Sequence, residues 1–273
     1  MEKSIFMGLG LFILNQQGKE NLKQSTAEGL HLIIGELFSE VVIYLKKRLI
    51  KRSMKKDKII VYTVNLGGYD DLHPAPKDKK VEYLYYTDGD KAPKGWKLVK
   101  ISSGGRRESR YLKINSHLLP PHDYSIYIDS CYMIKKPLAE LVFFLGDRNI
   151  ALAEHPRDKC VYQHAKRVIS LKLDNTGIIN RQMKKYKDKR LPKDFLMSEN
   201  CLIIRKNNQK VRLLNELWWI EYVRGSQRDQ LSFPYALWKT EEKVAWLPFS
   251  ARKNRWLKNW ANHLGDRTYK LKQ

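Results

Sequence analysis

The chain has 273 residues, of which 42% are hydrophobic. That fits one large α/β domain, or one domain with an appendage, and excludes wholesale disorder. Its 52 Lys and Arg against 29 Asp and Glu leave a formal charge of +23, a balance that favours polyanionic partners: nucleic acid, an anionic membrane surface or phosphorylated substrates. Three widely separated cysteines, Cys131, Cys160 and Cys201, make neither a disulfide framework nor a CxxC metal pattern, so a reducing compartment is the simpler reading.

Residues 4–14 (SIFMGLGLFIL) are apolar, but a bilayer span needs ~20 such residues. A weak front charge and the lack of an A-x-A site argue against a cleaved signal. Ser25-Thr26-Ala27-Glu28 reads as a capping box. Behind it Leu30, Ile33, Ile34, Leu37, Phe38, Val41, Val42 and Leu45 recur at helical spacing, which predicts a long amphipathic helix over 26–54. Its carboxyl end is basic, complementing the helix dipole. Such a helix either packs its stripe on the protein body or a second copy, or lies on an anionic membrane surface.

The globular part begins near Lys58. The continuous apolar run at 59–64 predicts a buried strand, followed by a tight loop, Leu66-Gly67-Gly68-Tyr69-Asp70-Asp71. Further strands are expected at 81–87, 95–101, 124–129, 149–154 and 202–205. Helices are expected at 106–119, stopped by Pro120-Pro121, and at 136–145, 157–172, 175–186, 209–224 and 228–238. Strands alternating with helices argue for an α/β fold with a mainly parallel sheet. The expected division is a basic helical segment at 1–56, an α/β domain at 57–249 and a basic tail at 250–273.

The strand YSIYI runs into Asp129. A carboxylate at the carboxyl end of a central strand points into the crevice where α/β sheets bind ligands. There it can hold a divalent cation, and the cation a diphosphate. Arg110, Lys113 and His117 fall at helical spacing, share a face and precede this strand. They are either diphosphate contacts or a solvated basic face.

Taken together, the blocks YTVNLGGYDDL, YLYYTDG, SRYLKINSHLLPPHDYSIYIDS, HPRDKCVYQHA and RDQLSFPYALWK resemble the glycosyltransferase-like domain of bacterial polysaccharide-synthesis proteins and of plant proteins linked to mucilage and turgor regulation. The match covers about residues 59–239. The resemblance implies a GT-A-type fold that binds a nucleotide-diphosphate sugar. It places Tyr62, Thr63, Gly68 and Tyr69 at the nucleotide, Asp88 at the base or ribose, and Asp129 at the metal. The GT-A metal motif is Asp-x-Asp, whereas this chain reads Asp129-Ser130-Cys131. The second acid is missing, and a thiol suits Mg²⁺ or Mn²⁺ poorly. His263 is then a candidate helper ligand, or simply an exposed tail histidine.

His155 is expected on the acceptor or sugar side, or as a structural histidine. Glu221 and Asp229 are candidates for binding sugar hydroxyls or for a general base, with Gln230 beside them on the donor. Asp229 also suits a helix N-terminal cap. The resulting expectation is a metal-dependent transferase, using Mn²⁺ or Mg²⁺, that moves a hexose from a nucleotide-diphosphate donor to a glycan or lipid-linked acceptor in surface polysaccharide synthesis. Its expected location is cytoplasmic, with a peripheral position on the inner membrane face as a variant. The alternative is a non-catalytic, basic nucleic-acid- or membrane-binding protein. Against it, the sequence shows none of the common nucleic-acid-binding motifs.

Overall fold

The computed structural model describes residues 57–102 and 105–259. The predicted helix at 26–54 and His263 lie outside the described residues. The chain divides into units at 1–55 and 56–273, and the described residues belong to the second.

Seven strands form one sheet: β1 (Ile59–Asn65), β2 (Val81–Thr87), β3 (Lys97–Lys100), β4 (Tyr124–Ile128), β6 (Ile150–Glu154), β7 (Ser198–Lys206) and β8 (Val244–Trp246), in the order β3-β2-β1-β4-β7-β6-β8. β3, β2, β1 and β4 run parallel. β7 runs antiparallel to both β4 and β6, and β8 is parallel to β6. The expected α/β class with a mainly parallel sheet is the one observed, and the β7 reversal makes the sheet mixed. Every residue of β1 is buried, as expected of a continuous apolar strand covered on both faces.

The chain order around β1 fixes where a ligand can bind. From β1 the chain moves outward to β2 and β3, then returns to β4 on the other side of β1. The strand order therefore reverses between β1 and β4, and a crevice opens at their carboxyl ends.

Helices α1 (Arg106–Ile114), α2 (Val161–Ser170), α3 (Thr176–Asp188), α4 (Gln209–Arg224) and α5 (Asp229–Lys239) accompany the sheet. α1 packs on β1 and α4, and α5 packs on α4 and β7. Trp218 is fully buried, and its indole N–H donates to the Asp229 carbonyl at 3.0 Å, tying α4 to the start of α5.

The structure departs from the sequence reading in several places. α1 ends at Ile114 with Asn115 as its cap, and Ser116–Leu118 form a separate 3₁₀ turn, so the single helix expected over 106–119 is broken. Leu138–Leu145 is also 3₁₀. β7 starts at Ser198, earlier than expected, because Glu199 and Asn200 are polar yet buried. Short strands at Tyr132–Ile134 (β5) and Leu257–Asn259 (β9) pair antiparallel as a second sheet. Residues 250–259 are thus packed structure in place of the expected tail. Their basic residues hide an apolar pair, Trp256 and Leu257, which are buried.

Arg205 on β7 is wholly buried and pins these layers. It donates to the carbonyls of Ile114 at 2.8 Å and Lys113 at 3.0 Å, to Asn215 Oδ1 at 3.1 Å, and to the Tyr62 hydroxyl. Its charge meets the orphan carbonyls at the end of α1, where a cation is favoured. The Tyr62 hydroxyl in turn donates a hydrogen bond to the Lys113 carbonyl at 2.7 Å. Tyr62→Phe deletes an acceptor from a buried guanidinium. It is expected to lower the unfolding free energy by about 1–3 kcal/mol in denaturant titrations, with the slope unchanged.

Candidate active site

The β1/β4 crevice holds a cavity of about 410 Å³. The end of β1 supplies Val64, Asn65 and Leu66, and its loop supplies Tyr69 and Asp70. β4 and the residues after it supply Tyr127, Asp129, Ser130 and Cys131, while α1 and the turn before α5 supply Arg106, Ser109, Arg110, Gln227 and Arg228. Two carboxylates and three guanidinium groups thus face one space.

The loop is shaped by local chemistry. Gly67 and Gly68 both take positive φ, +74° and +60°, which L side chains rarely adopt. Asp88, at the end of β2, accepts from Gly67 N–H with both oxygens at 2.9 Å. The Asn65 side chain accepts from the Tyr69 and Asp70 amides at 3.0 and 3.2 Å and donates to the Asp70 carbonyl at 2.6 Å. Ser130 Oγ donates to Asp70 Oδ2 at 2.5 Å, joining the loop to the end of β4.

Beneath the cavity lies a cluster of paired charges. Lys113, with its side chain only 4% exposed, reaches Asp229 at 3.0 Å and Asp129 at 3.6 Å, and its ammonium lies 4.9 Å from the centre of the Tyr127 ring. Arg110 pairs with Asp229 at 3.1 Å. Tyr127 donates its hydroxyl proton to Asp129 Oδ1 at 2.8 Å. Burial opposes charge on Asp229, but Lys113 and Arg110 outweigh it and hold the carboxyl down to about 2.

The expected site residues divide. Tyr69, Arg110 and Asp129 line the cavity, with Lys113 and Asp229 directly behind them. Asp88 and Gly68 shape the loop that forms its wall. Thr63 is fully buried in β1 and does not line the cavity. His117 falls on the 3₁₀ turn beyond α1, 3.4 Å from the Asn215 amide, so it does not continue the Arg110–Lys113 face as expected. Gln230 donates to the Ser198 carbonyl at 3.3 Å.

Two expected catalytic residues lie elsewhere. Glu221 is held by Lys185 at 2.6 and 2.8 Å and by the Tyr186 hydroxyl at 3.2 Å, and it lines a second cavity between α3 and α4. His155 is buried after β6, its Nδ1 accepting from the Asp158 amide at 2.9 Å. His155, Asp158 and His164 form the single group of three metal-type ligands found among the described residues. The Arg167 guanidinium already sits on it, 2.5 Å from Asp158 and 3.1 Å from His155 Nε2. Burial, with His164 nearby, lowers His155 to about 4, leaving it neutral at pH 7. This cluster is a structural clamp between the end of β6 and α2.

Asp70, Arg106 and Ser130 line the cavity without having been marked from the sequence. Asp70 belongs to the glycine loop already noted, and its signal was that position. For a divalent cation the cavity offers hard oxygens from Asp129 and Asp70, with water and phosphate left to complete the shell, a donor set that suits Mg²⁺ or Mn²⁺. Burial, with Asp129 and Asp70 nearby, pushes the Cys131 thiol up, and its soft sulfur suits Mg²⁺ or Mn²⁺ poorly.

The family profile described as TOD1/MUCI70, glycosyltransferase-like domain, matches residues 86–263. The chain belongs to that family. The match spans β4, Asp129, α1 and α5, and leaves β1 and its loop before it. The chain is also similar to the probable hexosyltransferase MUCI70 of Arabidopsis thaliana, at 29% identity over 176 residues, 58% of this chain and 30% of that protein. The chain therefore spans less than a third of that relative's length. Membership of the TOD1/MUCI70 family supports glycosyltransferase activity.

The depressed Asp229 carboxyl has a readable pH signature. Its stabilising effect is complete above the unfolded pKa near ~4 and is lost as pH falls toward about 2. Asp229→Asn leaves Arg110 without its carboxylate and Lys113 with Asp129 alone, and is expected to destabilise the protein by about 3 kcal/mol at pH 7. The gap from wild type should close between about pH 4 and pH 2 in thermal melts.

Proposed function

We propose that the protein transfers a hexosyl group from a nucleotide-diphosphate donor to a glycan or lipid-linked acceptor. The observation that carries this is the cavity at the β1/β4 reversal, where Asp129 and Asp70 face Arg106, Arg110 and Arg228. A diphosphate needs both cations and, through a divalent ion, carboxylates. The loop after β1 would take the base and ribose, with Tyr69, 56% exposed, as a stacking surface. Arg110 and its neighbouring guanidinium groups would neutralise charge on the departing diphosphate, where preorganised donors act most strongly.

Asp129 and Asp70 would hold Mn²⁺ or Mg²⁺, which supplies Lewis-acid stabilisation of the leaving group. Tyr127 and Lys113 fix the Asp129 carboxylate on one side, leaving its other oxygen for that task. Asp229 serves in this reading as the anchor of Lys113 and Arg110. A carboxyl held down to about 2 is a weak proton acceptor at neutral pH.

The test is donor hydrolysis and transfer across a panel of nucleotide sugars, with Mn²⁺, Mg²⁺ or chelator. Asp129→Asn removes one charge and little volume. It is expected to lower turnover by about 10²–10³-fold while the melting temperature stays close to wild type. Wild-type turnover by this variant at saturating donor would remove Asp129 from the reaction.

A further inference from the structure

The turn between α4 and α5 lines the crevice with Gln227 and Arg228. It is held from outside, by the connection between α2 and α3. Asp174 Oδ2 accepts from Ser226 Oγ at 2.5 Å and from the Gln227 amide at 2.7 Å. Arg228 Nη2 donates to the Leu173 carbonyl at 3.2 Å, and the Arg228 amide donates to Ser226 Oγ at 3.1 Å. From α3, Gln182 Oε1 accepts from the Ser226 amide at 2.9 Å. Ser226 is fully buried, so these bonds are shielded from water. Asp174 and Ser226 lie 52 residues apart in sequence, so the hold is tertiary and not the turn's own chemistry.

The hold reaches the cations of the cavity. Arg228 is tied to Leu173, the residue before Asp174. Gln227, whose amide Asp174 fixes, accepts at its side-chain Oε1 from Arg106 Nη1 at 3.4 Å. Asp174 does not itself line the cavity. One carboxylate therefore stands behind the placement of Gln227 and Arg228 and, through Gln227, of Arg106. Its other oxygen, Oδ1, accepts from the Asn175 amide at 2.7 Å. Every one of these bonds uses Asp174 as an acceptor, the only role an ionised carboxylate has.

We propose that Asp174 is a positioning residue of the transfer centre, setting the α4–α5 turn so that Gln227, Arg228 and Arg106 meet the donor diphosphate. The proposal rests on the glycosyltransferase reading above and adds to it a residue outside the cavity wall. The physical reason is preorganisation. Cations stabilise a departing diphosphate most where their geometry is fixed before the charge develops. A short polar turn has little apolar side chain to fix it, and here hydrogen bonds to one carboxylate do that work.

Asp174→Ala removes the acceptor, and Asp174→Asn restores an oxygen that can turn toward Ser226 and Gln227. Asn175→Ala is the control. It deletes the cap of α3, whose side chain accepts from the Ile178 amide at 3.0 Å, and so lowers stability beside Asp174 without touching the turn. Three quantities are measured in each protein. They are calorimetric affinity for uridine, guanosine or adenosine diphosphate with Mg²⁺, whichever binds wild type best, kcat/KM with the matching nucleotide sugar, and melting temperature. Asp174→Ala is expected to lose about tenfold in diphosphate affinity, the size of one lost hydrogen bond to a charged group, and at least as much in kcat/KM. Asp174→Asn should return to within about threefold of wild type. Asn175→Ala should melt lower yet keep diphosphate affinity within about twofold. Wild-type affinity and kcat/KM in Asp174→Ala overturn the proposal. So does an equal affinity loss in Asn175→Ala, which marks instability of the segment as the cause, and so does an equal loss in Asp174→Asn, which marks the charge and not the acceptor. If Asp174→Ala fails to fold, Ser226→Ala carries the comparison, since it cuts the hydroxyl bridge between Asp174 and the Arg228 amide; wild-type affinity there overturns the proposal. If wild-type protein binds none of the three diphosphates, the glycosyltransferase reading fails and the positioning role falls with it.

Discussion

The site depends on where one lysine sits. Lys113 is almost wholly removed from water and touches Asp229 on one side and Asp129 on the other. A lone buried ammonium would shed its proton or unfold its surroundings. Here two carboxylates and the face of Tyr127 surround it. The last turn of α1, the first turn of α5 and the end of β4 are therefore held together by one charge. Arg110 shares Asp229, which also fixes a guanidinium at the cavity wall. Arg110 at the cavity wall is thus set in place by the acid behind it, before any ligand arrives.

This arrangement explains which parts of the site could be read from sequence. Asp129 was legible because an apolar strand ending on an acid is a pattern of adjacent residues. Arg110 and Lys113 were legible because they lie three apart on one helix. His117 failed because Asn115 ends that helix, and periodicity does not report where a helix stops. Glu221 and His155 were misplaced for a different reason. Glu221 is held by Lys185 from another helix, and His155 meets Arg167 only across the turn from β6 into α2, pairings that a linear reading does not give.

The fold was more legible than the site. The buried strands β1, β2 and β4 announced themselves by apolar runs, and α4 by its length. The strands that escaped, β5, β8 and β9, have three residues each, too few for a period to show. The reversal of β7 also escaped, because a strand's direction depends on the path of its connections. That reversal sets the neighbour of Asp129: its amide donates to the Cys201 carbonyl, where a parallel strand would present another residue.

The pairing of β5 with β9 has a consequence for how the centre comes into being. Tyr132 stands three residues after Asp129, yet its strand partner is Asn259. Arg252, which pairs with Glu199, comes from the same late segment. On a ribosome the sheet from β1 to β4 emerges long before that segment does, and contacts so distant in sequence form last. For that interval β5 lacks its strand partner and Glu199 lacks its guanidinium. Any chain halted before β9 would share this state, with Tyr132 and Ile134 left as an unpaired edge open to other strands.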